Sequence, residues 1–131
     1  MANYPARNSG DQTINYLRAQ ITGVGLGYTG VAQIGTIPGG CLVLRSYVIV
    51  TTAFNAGSTN TLKIGTVASD ASFGTGIALG TAGVITGGTA LATATTMNPT
   101  ADTAIIATAV STGTAPTAGN AYVVVEYCPV A

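Results

Sequence analysis

Short runs of β-branched and apolar residues, separated by clusters of Gly, Pro, Asn and Ser, recur from residue 21 almost to the end of the chain. Runs of about five to ten residues bounded by turn residues are typical of strands, and no ten-residue window carries a helical stripe. The pattern predicts an all-β chain of roughly eight strands that form an antiparallel β-sandwich. A jelly roll is favoured over an immunoglobulin-like Greek key, because Trp is absent and Cys128 lies almost at the chain end.

The strongest strand signal is CLVLRSYVIVTTAF, residues 41–54. Alternation assigns one face to Leu42, Leu44, Ser46, Val48 and Val50, and the other to Cys41, Val43, Arg45, Tyr47 and Ile49. Since the second set contains Arg45, we predict that the first set faces the core. Both faces are fairly apolar, which indicates that the outer face is at least partly covered. After the turn residues NAGSTN comes TLKIGTV, residues 61–67, and we predict that the two strands form a hairpin.

Further segments have the composition of strands. They are VAQIGTI at 31–37, IALGTAGVIT at 77–86 as one or two short strands, DTAIIATAVS at 102–111 and AYVVVEYCPV at 121–130. In the last of these, Val123, Val125 and Tyr127 alternate with residues of the opposite face. GVGLGYTG, residues 23–30, fits either a weak strand or a glycine-rich loop.

Residues 1–20 differ from the rest, because they hold Arg7, Asp11 and Arg18 and show no clean period. We predict two units: an extended N-terminal arm at 1–20, with a short helical turn near TINYLRAQ, and one β-sandwich domain at 21–131. An amphipathic tyrosine beside an arginine suits docking on another protein. The predicted partner-binding residues are therefore Tyr4, Arg7, Tyr16 and Arg18. A frayed tail is the alternative.

Charged residues make up only 6% of the chain, against about a quarter in average soluble domains. A surface so poor in charge suggests cover by neighbouring subunits, or a coat of Thr, Ser and Asn. The formal net charge is zero, and this predicts no nucleic-acid partner. No apolar run approaches the ~20 residues that span a bilayer, and the N-terminus lacks a signal-peptide core. We expect no membrane association, and we expect the chain to be made and kept in a cytoplasm.

Few residues of this chain could act as a catalytic acid, base or nucleophile. Histidine is absent, and the four acidic residues are scattered without a pairing pattern. Neither Cys41 nor Cys128 has a histidine to activate it, and a zinc site would lack ligands. The two cysteines fit small buried hydrophobes, with a disulfide between them as the alternative. The sequence predicts no enzyme activity, no cofactor and no metal.

Two stretches, SYVIVTTAFNAGSTNTLKIGTVASDASF and TADTAIIATAVSTGTAPTAGNAYVVVEY, together span most of residues 46–127. In their strand and turn residues they resemble the small β-sandwich decoration or cement proteins of tailed bacteriophages. The resemblance covers about two-thirds of the chain and leaves out the N-terminal arm.

The resemblance implies a non-enzymatic virion structural protein on the capsid surface, one that binds and stabilises the head shell. It implies the major capsid protein as a partner and self-association as a dimer or trimer. Two alternatives stay open: a tail or fibre component of the virion, and a carbohydrate-binding jelly-roll module. The absence of Trp disfavours the sugar-binding alternative.

Overall fold

The computed structural model describes residues 14–27, 29–86 and 98–129. Within them lie eight strands and a single helical turn. The strands are β1 (Asn15–Thr22), β2 (Val31–Ile37), β3 (Cys41–Thr52), β4 (Thr59–Thr66), β5 (Gly74–Ala78), β6 (Gly83–Thr86), β7 (Thr103–Thr112) and β8 (Asn120–Pro129), and the turn is α1 (Gly23–Leu26).

The strands form two four-stranded antiparallel sheets, which pack into a sandwich. The first sheet has the order β1-β8-β3-β6, and the second has the order β2-β7-β4-β5. The pairs are nested along the chain, because β1 pairs with β8, β2 with β7, β3 with β6 and β4 with β5. An antiparallel β-sandwich is therefore confirmed as the fold class.

The core lies between the sheets and consists of aliphatic side chains from both, with Phe73 and Phe54 added from loops. Its largest fully buried members are Phe73, Ile37, Leu62, Ile64, Ile77, Leu79, Ile105, Val43, Val48, Val123 and Val125. Burial of apolar surface on this scale is the main driving force for folding. The one buried hydroxyl at the centre of β3, that of Ser46, donates a hydrogen bond to the carbonyl oxygen of Phe73.

Most of the predicted strands are confirmed within a residue or two. VAQIGTI is β2 and ends before Pro38, while the segments at 102–111 and 121–130 are β7 and β8. The predicted faces of β8 are also confirmed, since Val123 and Val125 are fully buried and Tyr127 packs against the core. The segment at 77–86 holds β6 and the last two residues of β5, which begins three residues earlier than predicted, at Gly74; the two strands lie in different sheets.

The predicted hairpin of 41–54 with 61–67 is wrong. Strand β3 pairs with β6 and β8 in the first sheet, whereas β4 pairs with β5 and β7 in the second. Residues 53–58 therefore cross from one sheet to the other. Asn55 in this crossing accepts hydrogen bonds from the backbone N–H groups of Thr117 and Ala118, both at 2.9 Å, and so ties two loops together.

The predicted faces of β3 are right for one half of the strand and wrong for the other. Ser46, Val48 and Val50 are buried as predicted, but Cys41 and Val43 are also buried. The cause is a β-bulge, since Val43 pairs with Tyr127 and the next paired residue, Arg45, faces Glu126. The extra residue, Leu44, reverses which positions face the core on its N-terminal side.

The helical turn predicted near TINYLRAQ is wrong, because residues 15–22 form strand β1 against β8. Leu17, Ala19 and Ile21 face the core side, whereas Tyr16 and Arg18 are exposed on the outer side. The residues that come before position 14, which make up most of the predicted arm, lie outside the described part of the chain. The division into an arm and one domain stays a prediction.

Both cysteines are free thiols. Cys41 pairs with Pro129, and Cys128 pairs with Leu42 on the neighbouring strand. Since residues paired across a sheet share a face and adjacent residues do not, the two thiols lie on opposite faces of the first sheet. Cys41 is a buried hydrophobe as predicted, whereas Cys128 is half-buried on the outer face.

Candidate interaction surface on the outer face of the first sheet

The outer face of the first sheet collects aromatic, aliphatic and charged side chains in cross-strand rows. One row runs Gln20, Tyr122, Ile49 and Val84, and the next runs Arg18, Val124, Tyr47 and Thr86. A third row joins Tyr16, Glu126 and Arg45. We call this surface the aromatic face. Tyr and Arg at this density are typical of protein interfaces.

Val124 lies at the centre of the aromatic face, and only 4% of it is exposed although it points away from the core. Its cross-strand neighbours on the two sides are Arg18 and Tyr47. The Arg18 guanidinium lies 4.4 Å from the centroid of the Tyr122 ring, so this long side chain lies flat along the sheet. Arg18 and Tyr47 thus cover Val124 and give the face a closely packed middle.

An ion pair links β3 to β8 on the same face. Arg45 Nε lies 2.6 Å from Glu126 Oε2, and Arg45 Nη2 donates to Glu126 Oε1 at 3.0 Å. The Tyr47 hydroxyl donates to the same Oε1 atom at 3.4 Å, and the Arg45 guanidinium lies 5.1 Å from the Tyr47 ring centroid. A bidentate pair backed by an aromatic ring fixes the direction of both charged groups.

This arrangement shifts both titration equilibria toward the charged forms. The hydrogen bond from Arg45 lowers the pKa of the Glu126 carboxyl, and the same bond raises the pKa of the Arg45 guanidinium. Burial acts in the opposite direction on Glu126, whose side chain is 17% exposed, but it is the smaller effect. The carboxylate therefore stays ionised to lower pH than a free glutamate does.

Glu126→Gln is expected to destabilise the protein at neutral pH and to have little effect in acid. Because the folded-state pKa of Glu126 lies below its unfolded value of about 4.3, its contribution is present above that value and is lost as the pH falls through the folded pKa. Urea unfolding of both proteins from pH 7 down to pH 3 tests this. A difference in stability that does not change with pH would contradict the assignment.

Of the four predicted partner-binding residues, the structure places two. Tyr16, which is 63% exposed, and Arg18 both lie on the aromatic face, opposite Glu126 and Val124 of β8. Tyr4 and Arg7 lie outside the described residues.

Sequence reasoning missed the pairing of Arg45 with Glu126. It placed Arg45 on the outer side with Tyr47 and Ile49, and the structure confirms this. The available signal was the small number of charges, because a strand arginine in such a chain has few possible carboxylate partners. Choosing among those partners required the register of β3 on β8, which the central bulge shifts by one residue.

The outer face of the second sheet has different chemistry. Thr59 and Thr112 hydroxyls lie 2.8 Å apart across β4 and β7, and the Thr61 hydroxyl donates to the carbonyl of Val110 at 3.0 Å. Among the described residues, the Thr108 hydroxyl on this face is buried without a hydrogen-bond partner. Thr59, Thr61 and Thr112 thus bond to one another or to the backbone, and the described residues of this face lack the tyrosines and arginines of the first sheet.

The three carboxylates of the described residues have separate structural partners. Glu126 binds Arg45, Asp70 lies 3.3 Å from Lys63, and Asp102 accepts a hydrogen bond from the Gly39 N–H at 3.0 Å. The described residues contain no group of three or more His, Cys, Asp or Glu side chains that could hold a metal ion. Nor does any described helix have the length and apolar character needed to cross a membrane.

One shallow groove lies between β1, α1 and β2 and has a volume of about 290 Å³. It is lined by Gln20, Ile21, Thr22, Gly25, Leu26, Val31 and Ala32. None of these side chains titrates, and enclosed ligand sites generally have about this volume or more, with convergent polar groups. The groove therefore lacks the convergent polar groups of a typical small-ligand site.

The architecture is that of a small β-sandwich whose first sheet carries the aromatic face. Its fold is shared with chains of phage capsid structures. A chain in the capsid asymmetric unit of cyanophage Pam1 matches with a TM-score of 0.76 at 18% identity, over 99% of this chain and 94% of that one. A chain in the capsid of Ralstonia phage GP4 matches with a TM-score of 0.64 at 12% identity, over 99% and 92% of the two chains.

A third match is a chain in the acid-stable capsid of Helicobacter pylori bacteriophage KHP30, with a TM-score of 0.50 at 15% identity, over 92% of this chain and 91% of that one. No protein-family model and no curated protein matches the sequence. These likenesses confirm the fold that the sequence resemblance predicted, that of the small β-sandwich chains of phage capsids.

Proposed function

We propose that this chain is a capsid decoration protein of a tailed phage, which binds the outside of the head shell and stabilises it without catalysis. The observation that carries the proposal is the likeness to chains within phage capsid structures over more than nine-tenths of their length. Because coverage is nearly complete in both directions, those chains are about as long as this one, as expected of a small accessory subunit.

The physical properties of the chain support this function. Loops are fixed by side-chain bonds such as those of Asn55, and the core is continuous between the sheets. A rigid partner loses little conformational entropy on association, and a surface with few charges has a small desolvation cost. The nested strand pairs support the jelly roll as the sandwich type, and we adopt it as part of the proposal.

The aromatic face is our proposed contact with the major capsid protein. It joins Tyr16 and Arg18, predicted from the sequence, to Tyr47, Ile49 and Val84. Val84 is 69% exposed, so it is available to a partner without rearrangement. The roles of Tyr4 and Arg7 in the same contact remain sequence-based proposals.

Val84→Asp is expected to weaken binding to undecorated capsids by at least about tenfold, because an unpaired carboxylate buried in an interface costs several kcal/mol. Val67→Asp is the matched control, since Val67 is 80% exposed in the loop after β4 and lies off the aromatic face. Binding is measured by cosedimentation of the purified protein with capsids that lack it. Equal affinities of the two variants would exclude the aromatic face as the contact.

A further inference from the structure

Strand β1 differs from the other three strands at the sheet edges. The edges of the two sheets are β1 and β6, and β2 and β5. An open edge invites pairing with another chain unless it is short, bulged or charged. Within the described residues β6 has four residues, β2 carries a bulge between Gln33 and Gly35, and β5 is short with a register shift against β4. Strand β1 has eight residues in unbroken register with β8.

The backbone of β1 presents hydrogen-bonding groups on its open side. Gly23 N–H donates to the Gly119 carbonyl at 3.0 Å, just beyond the pair of Thr22 with Asn120. Since antiparallel residues alternate in the direction of their N–H and C=O groups, odd-numbered residues of β1 face β8. Tyr16, Arg18, Gln20 and Thr22 therefore turn their backbone groups away from β8. Within the described ranges, β1 pairs with no other strand.

Exposed apolar side chains concentrate at the same edge. Six large hydrophobic side chains are exposed among the described residues. Four of them lie at this end of the chain: Ile14 just before β1, Tyr16 on β1, Val24 on α1 and Val31 on β2. Within β1 the only charged residue is Arg18, and there is no proline. Among the described residues, this edge has no proline, no bulge and no covering strand, and Arg18 is its one protective charge.

We propose that β1 pairs antiparallel with β1 of a second copy around a two-fold axis at Ala19, so that the first sheets of two copies form one continuous sheet. A two-fold axis perpendicular to the sheet pairs positions whose numbers share parity, which matches the backbone groups left open. With the axis at Ala19, Arg18 lies opposite Gln20 of the second copy, and Leu17 lies opposite Ile21.

This register is favoured over its neighbours by charge and by apolar contact. An axis at Arg18 would place two arginines directly opposite each other, which is destabilising. An axis at Gln20 would set Tyr16 against the helical turn and shorten the pairing. The axis at Ala19 uses all of residues 16–22 and brings Ile14 of one copy toward Val24 of the other, two side chains that are 61% and 72% exposed. The proposal specifies the self-contact and does not depend on capsid binding.

Opposite charges at position 20 test the register. Gln20→Lys sets two lysines against two arginines across the axis, and Gln20→Glu sets two glutamates there. We expect the dimer dissociation constant to rise roughly tenfold in the first variant and to fall in the second, with both changes shrinking at high salt. Thr86→Lys, on the opposite edge strand β6, is the control and should leave the constant unchanged. Sedimentation of the free protein over a concentration series gives these constants.

A disulfide tests the axis directly. In a Cys128→Ser background, Ala19→Cys should form a disulfide-linked dimer on mild oxidation, because residues of a pair without hydrogen bonds lie ~4.5 Å apart between Cα atoms, within the range of a disulfide. Thr86→Cys in the same background should not form such a dimer.

A trimer would overturn the proposal, and so would a dimer whose dissociation constant and disulfide formation do not respond to these substitutions. So would a monomer that dimerises only after deletion of residues 1–13, since the chain's own segment would then cover the edge. A protein that stays monomeric with and without that segment would also overturn it, since the edge would then not pair with a second copy. Each result is obtained without capsids, so it is independent of decoration.

Discussion

Phe73→Ala is expected to lower the free energy of unfolding by about 3–5 kcal/mol, the range measured when large buried aromatic side chains are truncated. Phe73 is 1% exposed and lies between the sheets, just before β5. Its backbone is fixed on both sides, because its N–H donates to the Ile64 carbonyl at 2.8 Å and its carbonyl accepts from Ser46. The surroundings therefore have little freedom to collapse into the cavity.

Urea unfolding measures this loss, with the slope compared between variants to confirm that the unfolded state is unchanged. Val67→Ala is the surface control and should stay within about 0.5 kcal/mol of the parent protein. The total stability of a domain is typically about 5–15 kcal/mol, so the core variant loses a large fraction of it. A loss below about 1 kcal/mol would contradict the central place of Phe73 in the core.

Gly65→Ala is expected to destabilise the protein by about 3 kcal/mol, near the upper end of overpacking effects. A Cβ atom at Gly65 would lie 2.2 Å from the Ser69 carbonyl oxygen and 2.5 Å from the Asp70 carbonyl carbon, both backbone atoms. This loop is held by the Thr66 N–H, which donates to the Ser69 carbonyl at 2.9 Å. The loop cannot move aside without losing that bond.

Gly80→Ala is the matched control for this prediction. A Cβ atom there meets nothing within 4 Å, and the backbone of Gly80 does not have a positive φ. The same substitution should be neutral or stabilise by about 0.4–1 kcal/mol, because alanine restricts the unfolded chain. Thermal and urea unfolding of the two variants should therefore give effects of opposite sign or very unequal size. Equal effects would mean that the loop at residues 67–73 does not pack on β4 as described.

Composition and alternation were sufficient to predict the sandwich and most of its strands. β-Branched runs bounded by Gly, Pro and Asn identify strands whatever they pair with, so β2, β7 and β8 follow from local sequence. Pairing does not follow in the same way. The six residues between β3 and β4 fit a long hairpin loop as well as a crossing between sheets, and only the tertiary packing of both strands distinguishes the two.

The faces of β3 show a second limit. Both faces of residues 41–50 are largely apolar. The unpaired residue Leu44 therefore changes which residues face the core, and the hydrophobic pattern of the sequence does not show this change. Strand β1 is a different case, because residues 16–22 do alternate between outward polar and inward apolar side chains. Small Ala19 and the charges of the preceding segment concealed that alternation.

The candidate surface was only partly visible in the sequence. The sequence predicts Tyr16 and Arg18 as partner-binding residues on chemical grounds, and their position on the aromatic face follows from the pairing of β1 with β8. Tyr122, Val124 and Glu126 join them only because β8 lies between β1 and β3. Residues that are distant in sequence form such a surface through topology, which local patterns do not encode.

Counting the copies of this chain in purified virions tests the proposed decoration function most directly. Quantitative mass spectrometry of intact particles gives its ratio to the major capsid protein. A protein that occupies repeated sites on the shell lattice should be present in a fixed, simple ratio to that subunit. A few copies per particle, as for a tail or fibre component, or absence from purified virions would contradict it.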